Sequence, residues 1–523
     1  MPNTLATPGV YINEVNAFPN SVVPVATAVP AFIGYTARAS YNGKSYTGVP
    51  VTINTLQDYM TYFGVLDPTT GNPAAENLQY TPVYYTSLSK NAATADVVIG
   101  GKPYDVEPDP YTVYYLYNSI KLFYDNGGGT AVIVSVGPYG SPSNKPNVKG
   151  TPLVNPNVIA TDFTGVLQGV LMQEDAPTMI VIPDATLLKP ADNTAVNQAI
   201  LMHCSTLKSR VGVIDVLNGA APDPVQWMTD ITNFRTNIGL NGLDYAATYY
   251  PFLKTAVLVD SNINYVNLGG PKVLAAVLPT AAVDPVKTLL AQMALPPGGA
   301  STPTPLQIEN AMLIASPTYG QIHDVVLAKM NILPPCGAMA GAYTLVDNEK
   351  GVWHAPANIS LSSVVDTTLK ITDLTQQNLN VDAGTGKSIN AIRLFQGKGV
   401  IVWGARTLDG NSDDWRYISV RRTLIMIEQS MKLAANDYVF EPNDANTWSL
   451  INSMLTNFLT SLWTEGAIVG PTPAQAFQVM VGLGLTMTPE DILQGIMNIS
   501  VKVAVSHPAE FIVITIQQEM QSA

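Results

Sequence analysis

The sequence predicts a mixed multidomain protein, with an α/β middle domain, an α+β C-terminal domain and extended β-strand arms at both ends. Three observations support this. Helical and strand patterns alternate between residues 111 and 345, as is typical of layered α/β domains. The 523 residues exceed the roughly 250–300 at which single cores stop growing. Apolar or proline-flanked strand patterns at both ends have no local partner.

The pattern along the chain predicts five regions. Residues 1–30 form an N-terminal extended arm, because five prolines in this stretch forbid a long helix. Residues 31–110 hold an entry strand followed by a Tyr-, Pro- and Asn-rich inserted region. Residues 111–345 form the α/β domain, with an insertion around 261–330. The C-terminal domain covers 346–505, and 506–523 form a C-terminal strand arm.

Individual elements follow from hydrophobic periodicity. In the α/β domain, "YLYNSIKLFYDNGG" predicts an amphipathic helix that ends at glycines, and "TAVIVSVG", "APTMIVIPDA" and "RVGVIDV" predict buried strands. In the C-terminal domain, "KGVIVWGA" predicts a strand and Ser412 starts a helix. A second helix carries an apolar stripe from Trp448 to Leu462, and two short helices begin at Thr472-Pro473 and Thr488-Pro489.

Composition indicates a surface that is covered by other molecules. Hydrophobic residues make up 47% of the chain and charged residues 12%, about half the usual ~25%. The best candidate for a membrane span, residues 466–489, is interrupted by glycines and prolines, so no membrane insertion is expected. The first residues lack a secretory pattern, which predicts assembly in the cytoplasm. A net charge of −13 disfavours nucleic acid binding.

Five of the eight arginines lie within thirty residues, and we call them the arginine cluster. Two interpretations stay open, since these side chains could be solvated or ion-paired, or could form an interface for an acidic partner. The members are Arg393, Arg406, Arg416, Arg421 and Arg422. Cys204 and Cys336 show no Cys-x-x-Cys spacing, so two buried free thiols are expected.

The motifs that suggest catalysis or cofactor binding are incomplete. "GTGKS" ends at Ser388 and is similar to a phosphate-binding loop, but Val381 stands where the first glycine is needed. The preceding "ITDLTQQNLN" is too polar for a strand in the middle of a parallel sheet, so we expect a turn and no nucleotide cofactor. An apolar strand ends at Asp215, as in subtilisin-like folds, but "GAMAG" offers no serine. Four scattered histidines predict no metal site.

The last residues are the most informative. "ISVKVAV" alternates as a half-buried strand does, and "FIVITIQ" is apolar on both faces. An uncovered strand of this kind at a chain end would aggregate, so we expect another subunit to cover it.

Eight segments stand out in order along the chain: "PGVYINEV", "AVPAFIGYT", "FYDNGGG", "PPCGAMAGAYTLVDNEKGVWHAPAN", "GKGVIVWGARTLDG", "WRYISVRR", "FEPN" and "PAEFIV". Together they resemble the sheath proteins of contractile phage tails and contractile injection systems. The segments from residue 334 onward are long and specific. Residues 41–110 and 261–330 have no match, as is usual for variable outward domains of the family.

The resemblance implies a structural function without catalysis. Six copies would form each ring, and rings would stack helically around an inner tube between a baseplate and a tail terminator or cap. Contraction would drive the tube through a target envelope with energy stored at assembly. The middle domain would be subtilisin-like without its catalytic triad, and the C-terminal domain would be the inner sheath layer.

The resemblance also implies which residues join neighbouring copies. N- and C-terminal strands from two copies would complete a small sheet in a third, and Arg416, Arg421 and Arg422 would be possible contacts to tube or neighbour. The strand residues are Val10, Tyr11, Ile12, Val15, Phe511, Ile512, Val513, Ile514 and Ile516. Two alternatives stay open: a non-contractile shell protein with similar arms, and an enzyme.

Overall fold

The computed structural model describes residues 22–279, 284–295 and 303–511. Its strands β1 to β19 are, in chain order, Pro30–Thr36, Ser40–Tyr41, Lys44–Ser45, Val51–Ile53, Tyr84–Leu88, Val97–Ile99, Lys102–Pro108, Ala131–Pro138, Met179–Val181, Val211–Asp215, Ala246–Tyr250, Leu253–Thr255, Ile332–Leu333, Ile359–Ser360, Val364–Thr367, Asn390–Phe395, Gly399–Trp403, Phe477–Val481 and Ile499–Val503. Its helices α1 to α16 are Leu56–Phe63, Glu76–Gln79, Leu116–Asp125, Ala160–Gln168, Pro190–Leu207, Trp227–Asn237, Gly270–Val277, Pro285–Met293, Pro305–Ala315, Pro317–Met330, Cys336–Lys350, Asp373–Asn380, Ile418–Ala435, Ala445–Thr464, Pro473–Ala476 and Pro489–Leu493.

These residues form two compact units. The larger unit contains the described parts of 26–422 and 507–511, and the smaller unit contains 22–25 and 423–506. The predicted division between residues 345 and 346 is drawn differently in the structure. Strands β14, β16 and β17 follow residue 346, yet they pair in the same sheet as the strands before it, so they belong to the larger unit.

The larger unit is built on a sheet in which nine described strands pair in the order β14-β17-β16-β11-β10-β9-β1-β8-β4. The strands from β16 to β8 in this order run parallel, and β4, β17 and β14 add antiparallel edges. All residues of β1, β9, β10 and β11 are buried, which explains their continuous apolar sequences. The predicted strands in "TAVIVSVG", "APTMIVIPDA", "RVGVIDV" and "KGVIVWGA" are confirmed as β8, β9, β10 and β17.

The predicted amphipathic helix is confirmed as α3, which packs against α11 through a pair of small residues. A Cβ atom added to Gly337 would lie 2.5 Å from the carbonyl oxygen of Ser119 on α3. A Cβ added to Gly341, one turn later, would lie 2.5 Å from the carbonyl oxygen of Phe123. The two helix backbones therefore touch, which explains why "GAMAG" contains only small residues and one methionine.

Replacing Gly341 by alanine is expected to lower the free energy of unfolding by about 1–3 kcal/mol, because the new methyl group meets backbone atoms that cannot move away alone. Chemical denaturation followed by circular dichroism measures this change. The matched control is Gly320→Ala in α10, where an added Cβ would have no heavy atom within 4 Å. That variant should gain about 0.5–1 kcal/mol from helix propensity. Equal effects of the two substitutions would contradict the close helix crossing.

A second hydrophobic core joins residues 41–110 and 261–330, the two regions without a resemblance to the sheath family. The three-stranded sheet β5-β7-β6 lies in the first region, and helices α7 to α10 lie in or beside the second. Val106 of the sheet and Met312 of the helices are fully buried members of one cluster. Lys329 also donates from Nζ to Asp96 (3.0 Å) and Glu107 (2.9 Å) across this core. Segments far apart in sequence therefore form one folded lobe.

The smaller unit contains α13 from residue 423 onward, helices α14 to α16 and the two-stranded antiparallel sheet β18-β19. The predicted helix from Trp448 to Leu462 is confirmed as α14, and Ile451, Leu455, Phe458 and Leu462 of its predicted stripe are buried. The two predicted short helices are confirmed as α15 and α16. Thr488 caps α16, where its Oγ1 accepts from the backbone N–H of Asp491 at 3.3 Å.

The prediction that a helix starts at Ser412 is wrong, because α13 begins at Ile418. The intervening residues pair with the segment after β17. The backbone N–H of Thr407 donates to the carbonyl oxygen of Arg416 (2.8 Å), and the Thr407 hydroxyl donates to that of Trp415 (2.8 Å). These hydrogen bonds hold residues 415–417 in a turn that ends in a β-bridge between Arg406 and Tyr417, so the helix starts after them. In the part of the chain that the structure describes, no helix is long and apolar enough to cross a membrane.

Candidate functional site: the arginine cluster and the ends of the described chain

In the loop that is similar to a phosphate-binding motif, residues 386–388 are buried and residues 384–385 are exposed. The loop follows helix α12, and the side chain of Lys387 is 3% exposed. Lys387 Nζ donates to the backbone carbonyl oxygen of Arg235, and burial lowers the pKa of this lysine. Strand β16 follows this loop, and the Ser388 hydroxyl has no hydrogen-bond partner among the described residues. This lysine therefore has a structural contact in place of a phosphate contact.

Two carboxylates at the carboxyl edge of the parallel strands accept hydrogen bonds from backbone N–H groups at the N-termini of helices. Asp215 ends β10, and its Oδ1 accepts from the backbone N–H of Cys336, the first residue of α11, at 3.0 Å. Asp184, shortly after β9, accepts from the backbone N–H groups of Tyr115 (2.6 Å) and Leu116 (3.2 Å) at the start of α3, and from that of Tyr35 (3.0 Å). Burial raises the pKa of Asp184 to about 6 and that of Asp215 to about 7.

The cysteines and histidines also have structural roles. Cys204 and Cys336 are buried and free, as predicted. Burial raises the pKa of the Cys204 thiol to about 12, so it is protonated at neutral pH. His203 is buried against the Leu167 carbonyl oxygen, 2.7 Å from Nδ1. Among the described residues, no three His, Cys, Asp or Glu side chains are grouped so that they could hold a metal ion.

Every member of the arginine cluster contacts an acidic side chain of the same chain. Arg393 Nη1 lies 2.7 Å from Asp373 Oδ1, and Arg416 pairs with the exposed Asp413. The remaining three arginines are more deeply buried, with side chains that are 3–6% exposed. The ion-paired interpretation, which the sequence left open, therefore describes these residues. The acidic partners of the buried arginines are Asp347, Asp244 and Glu510.

Arg422 forms a fully buried bidentate ion pair with Asp347 of α11. Its Nη1 lies 2.9 Å from Oδ1 and its Nη2 2.5 Å from Oδ2, and both side chains are 3% exposed. Arg422 Nη2 also donates to the carbonyl oxygen of Thr27 (2.9 Å), and the Thr27 hydroxyl donates to Asp347 Oδ2 (2.6 Å). The ring of Tyr343 lies 4.7 Å from the guanidinium carbon. One arginine thus joins α11, the start of α13 and the segment before β1.

Arg421 makes a different set of contacts in the larger unit. Its Nη2 pairs with Asp244, and its guanidinium carbon lies 3.5 Å from the ring centre of Trp415 and 4.3 Å from that of Tyr245. Cation–π contacts of this kind favour a charged group that is partly removed from water. The guanidinium is therefore held by groups of the same chain. Arg416, in contrast, keeps a side chain that is 29% exposed.

Arg406 binds the carboxylate of Glu510, next to the last described residue. Arg406 Nε lies 3.1 and 3.0 Å from the two carboxylate oxygens, and Nη2 lies 2.5 Å from Oε2. Asn380 Nδ2 (3.0 Å) and the Tyr417 hydroxyl (3.1 Å) donate to the same carboxylate. Burial works against the ionised form, but these hydrogen bonds outweigh it, led by those of Arg406, and lower the pKa of Glu510. Phe511 follows with 73% of its surface exposed.

The predicted inter-subunit strands lie almost wholly outside the described residues. Val10, Tyr11, Ile12 and Val15 precede the described range, and Ile512, Val513, Ile514 and Ile516 follow it. Sequence reasoning missed Thr27, Asp347 and Glu510, which hold the buried arginines. Two of them stand in the quoted segments "TLVDNEK" and "PAEFIV", but no local pattern links a carboxylate to an arginine 75 or 104 residues away.

Sheet β18-β19 in the smaller unit has an open outer edge in the part of the chain that the structure describes. The strands pair antiparallel, with Val479 opposite Val501. The backbone N–H of Ala504 donates to the Ala476 carbonyl oxygen (2.9 Å), so the backbone groups of Ala504 point towards β18. By alternation, the backbone groups of Ile499, Val501 and Val503 point away from β18. A strand edge whose backbone N–H and C=O groups are unpaired is a template for a further strand.

The fold and these contacts define a mixed α/β protein, in which ion pairs of the arginine cluster join distant segments. Comparisons with known proteins show what this chain is similar to. Residues 411–519 match the family model of the phage tail sheath C-terminal domain. The tail sheath protein of Salmonella phage ViI is 26% identical over 160 residues, covering 29% of this chain and 24% of that protein. That of Vibrio phage KVP40 is 23% identical over 173 residues, covering 33% and 26%. The chain thus matches about a quarter of the length of these curated relatives.

Solved structures match along nearly the whole chain. The helical sheath of the anti-feeding prophage in its contracted state is 25% identical, with a TM-score of 0.57 over 99% of this chain and 100% of that one. The PVC sheath complex of an extracellular contractile injection system, also contracted, shares the fold, with 24% identity, a TM-score of 0.58 and coverage of 99% and 98%. The resemblance predicted from the sequence is confirmed, and the chain is related to contractile tail sheath proteins.

Proposed function

We propose that this chain is the structural subunit of a contractile sheath that polymerises as stacked hexameric rings around an inner tube. Contraction drives the tube through a target envelope, and the energy is stored at assembly, without nucleotide hydrolysis. The observation that carries the proposal is the open edge of β18-β19 in a chain whose whole fold is similar to contracted sheaths. The protein assembles in the bacterial cytoplasm, with the tube, baseplate and tail-terminator or cap proteins as partners.

The proposed links between copies are strands added to this edge. Residues Val10 to Val15 and Phe511 to Ile516, supplied by two neighbours, extend the sheet in a third copy. One added strand contributes roughly 4–6 backbone hydrogen bonds of about 1 kcal/mol each. Each buried isoleucine or phenylalanine side chain adds about 2 kcal/mol. Links of this strength hold subunits together while their rigid parts move past one another.

The larger unit supplies the rigid part of the proposed machine. Its parallel sheet, with Asp215 at the end of β10, supports a subtilisin-like fold whose catalytic triad is absent, because Asp215 starts a helix and "GAMAG" packs against α3. Of the three arginines assigned to tube or neighbour contacts, Arg416 alone keeps a substantially exposed side chain. We therefore retain Arg416 as the candidate for such a contact.

Replacing Val501 by proline is expected to abolish assembly without unfolding the subunit. Proline removes one outward backbone N–H of β19, where an added strand would accept it, and leaves the ladder to β18 intact. Electron microscopy of the purified protein should show hollow helical cylinders for the wild type and none for the variant. Thermal unfolding measured by circular dichroism should be within a few degrees of the wild type.

The matched control is Val501→Thr, which keeps the N–H and the β-branched shape and should assemble normally. Deletion of residues 1–15 or of 511–523 should likewise leave a folded protein that forms no cylinders. Normal cylinders from Val501→Pro and from both deletions would contradict the proposed strand exchange. Closed shells in place of cylinders would favour a non-contractile shell protein. ATP turnover that disappears in Lys387→Ala would favour an enzyme.

A further inference from the structure

Both ends of the described chain are held by a buried arginine of the same cluster. Thr27 lies five residues after the first described residue, and Glu510 is one residue before the last. Arg422 holds the first and Arg406 holds the second. The two arginines are only sixteen positions apart, so one short stretch of sequence controls where both terminal segments leave the larger unit.

The N-terminal contact continues without interruption into the sheet. Thr27 is bound by Arg422 and Asp347, and its carbonyl oxygen also accepts from the Thr178 hydroxyl at 2.8 Å. Thr178 in turn accepts from the backbone N–H of Val29 at 2.9 Å. Strand β1 begins at the next residue and lies between β8 and β9 in the sheet. Thr27 is therefore bound by an ion pair three residues before β1 begins.

The C-terminal contact has the form of a dedicated carboxylate site. Three side chains, those of Arg406, Asn380 and Tyr417, place their donors on the Glu510 carboxylate. Arg406 is itself fixed, since its Nη1 donates to the Gly410 carbonyl oxygen (3.1 Å) and its backbone N–H donates to Asn390 Oδ1 (2.8 Å). Bidentate guanidinium–carboxylate pairs are directional, so they fix an orientation as well as a position.

We propose that Arg422 and Arg406 are positioning residues that anchor the roots of the two terminal arms to the larger unit. Each root is a guanidinium–carboxylate clasp, formed by Arg422 with Asp347 and Thr27, and by Arg406 with Glu510. The clasps transmit load from the arms to the nine-stranded sheet and set the direction in which each arm leaves. This inference rests on the proposed function, because it assumes that the arms link neighbouring copies.

Chymotryptic cleavage after Phe511 tests the C-terminal clasp. Phe511 is exposed, but a protease must draw several flanking residues into its cleft, which the bound Glu510 prevents while the clasp is closed. In Glu510→Gln the charged hydrogen bonds are lost, and cleavage should accelerate about tenfold or more. Arg406→Lys should act in the same direction with an unchanged cleavage sequence. Mass spectrometry of the full-length protein measures the rate, normalised to synthetic peptides of residues 505–516 with Glu or Gln at 510.

The control is Asp413→Asn, which removes a carboxylate from the exposed Arg416 pair of the same cluster and should leave the cleavage rate unchanged. Cylinders formed by Glu510→Gln should fall apart at a lower urea concentration than wild-type cylinders. An unchanged cleavage rate in both Glu510→Gln and Arg406→Lys would overturn the clasp, even if cylinders form. If the two variants are cleaved faster but the wild-type protein forms no cylinders, the clasp is supported and the proposed function is overturned.

Discussion

Replacing Asp347 by asparagine is expected to lower the free energy of unfolding by about 3–5 kcal/mol, because it leaves the buried guanidinium of Arg422 without a counter-charge. Both side chains are 3% exposed, so water cannot take the place of the missing carboxylate. The Thr27 hydroxyl also loses its ionised acceptor. The midpoint of urea denaturation, followed by tryptophan fluorescence, measures the loss.

A double variant separates charge balance from packing. Asp347→Leu combined with Arg422→Met removes both charges and keeps side chains of similar length, so its stability should be close to that of the wild type or above it. The same double variant is expected to weaken cylinder assembly, because the root of the N-terminal arm is then free. A single variant Asp347→Asn that is as stable as the wild type would show that the ion pair is not needed to compensate the buried charge.

The free energy of unfolding should include a contribution from Asp215 that becomes more favourable as the pH falls. The folded-state pKa of Asp215 is raised by burial to about 7, well above its ordinary value, so the folded state binds a proton that the unfolded state releases. Between about pH 7 and pH 4 the contribution of Asp215 becomes more favourable by about 1 kcal/mol per pH unit. Above this window the buried carboxylate is charged, and its cost is fully present.

The difference in unfolding free energy between the wild type and Asp215→Asn isolates this component. On acidification, the wild type should gain stability relative to Asp215→Asn, because the asparagine side chain does not titrate. Asp58→Asn is the control of opposite sign, because hydrogen bonds from the backbone of Asn54 and from Thr55 lower the pKa of Asp58. Its contribution is present above the unfolded pKa and is lost as the pH falls. A pH-independent difference for Asp215→Asn would show that its carboxylate is ionised in the folded protein.

Hydrophobic periodicity was sufficient to predict the elements with one dominant face. Strands β8, β9, β10 and β17 were found because each is a short, continuously apolar run, and helix α14 was found because its buried residues recur with the helical period. Helix α12 was not foreseen, because "DLTQQNLN" buries little and depends on a cap in which Thr372 Oγ1 accepts from the backbone N–H of Thr375. The start of α13 was predicted six residues early, since hydrogen bonds from Thr407 hold the preceding residues in a non-helical turn.

The partners of the arginines could not be predicted from sequence. Arg422 meets Asp347 and Thr27, which are 75 and 395 positions away, and the meeting depends on the folding of the whole larger unit. Composition showed that the arginines were clustered but not that they were buried, because a run of charge looks the same in solvent and in an ion pair. The resemblance to sheath proteins predicts the terminal strands, and all of their named residues except Phe511 lie outside the described residues, so they stay a prediction.

The lobe made by β5 to β7 and helices α7 to α10 has a practical consequence for engineering. Its core draws on residues 84–106 and 258–330, so neither segment can be exchanged alone without exposing the apolar side of the other. A chimera that takes both segments from one donor keeps a complete core. The lobe could therefore be exchanged only by grafting the two segments together from the same donor.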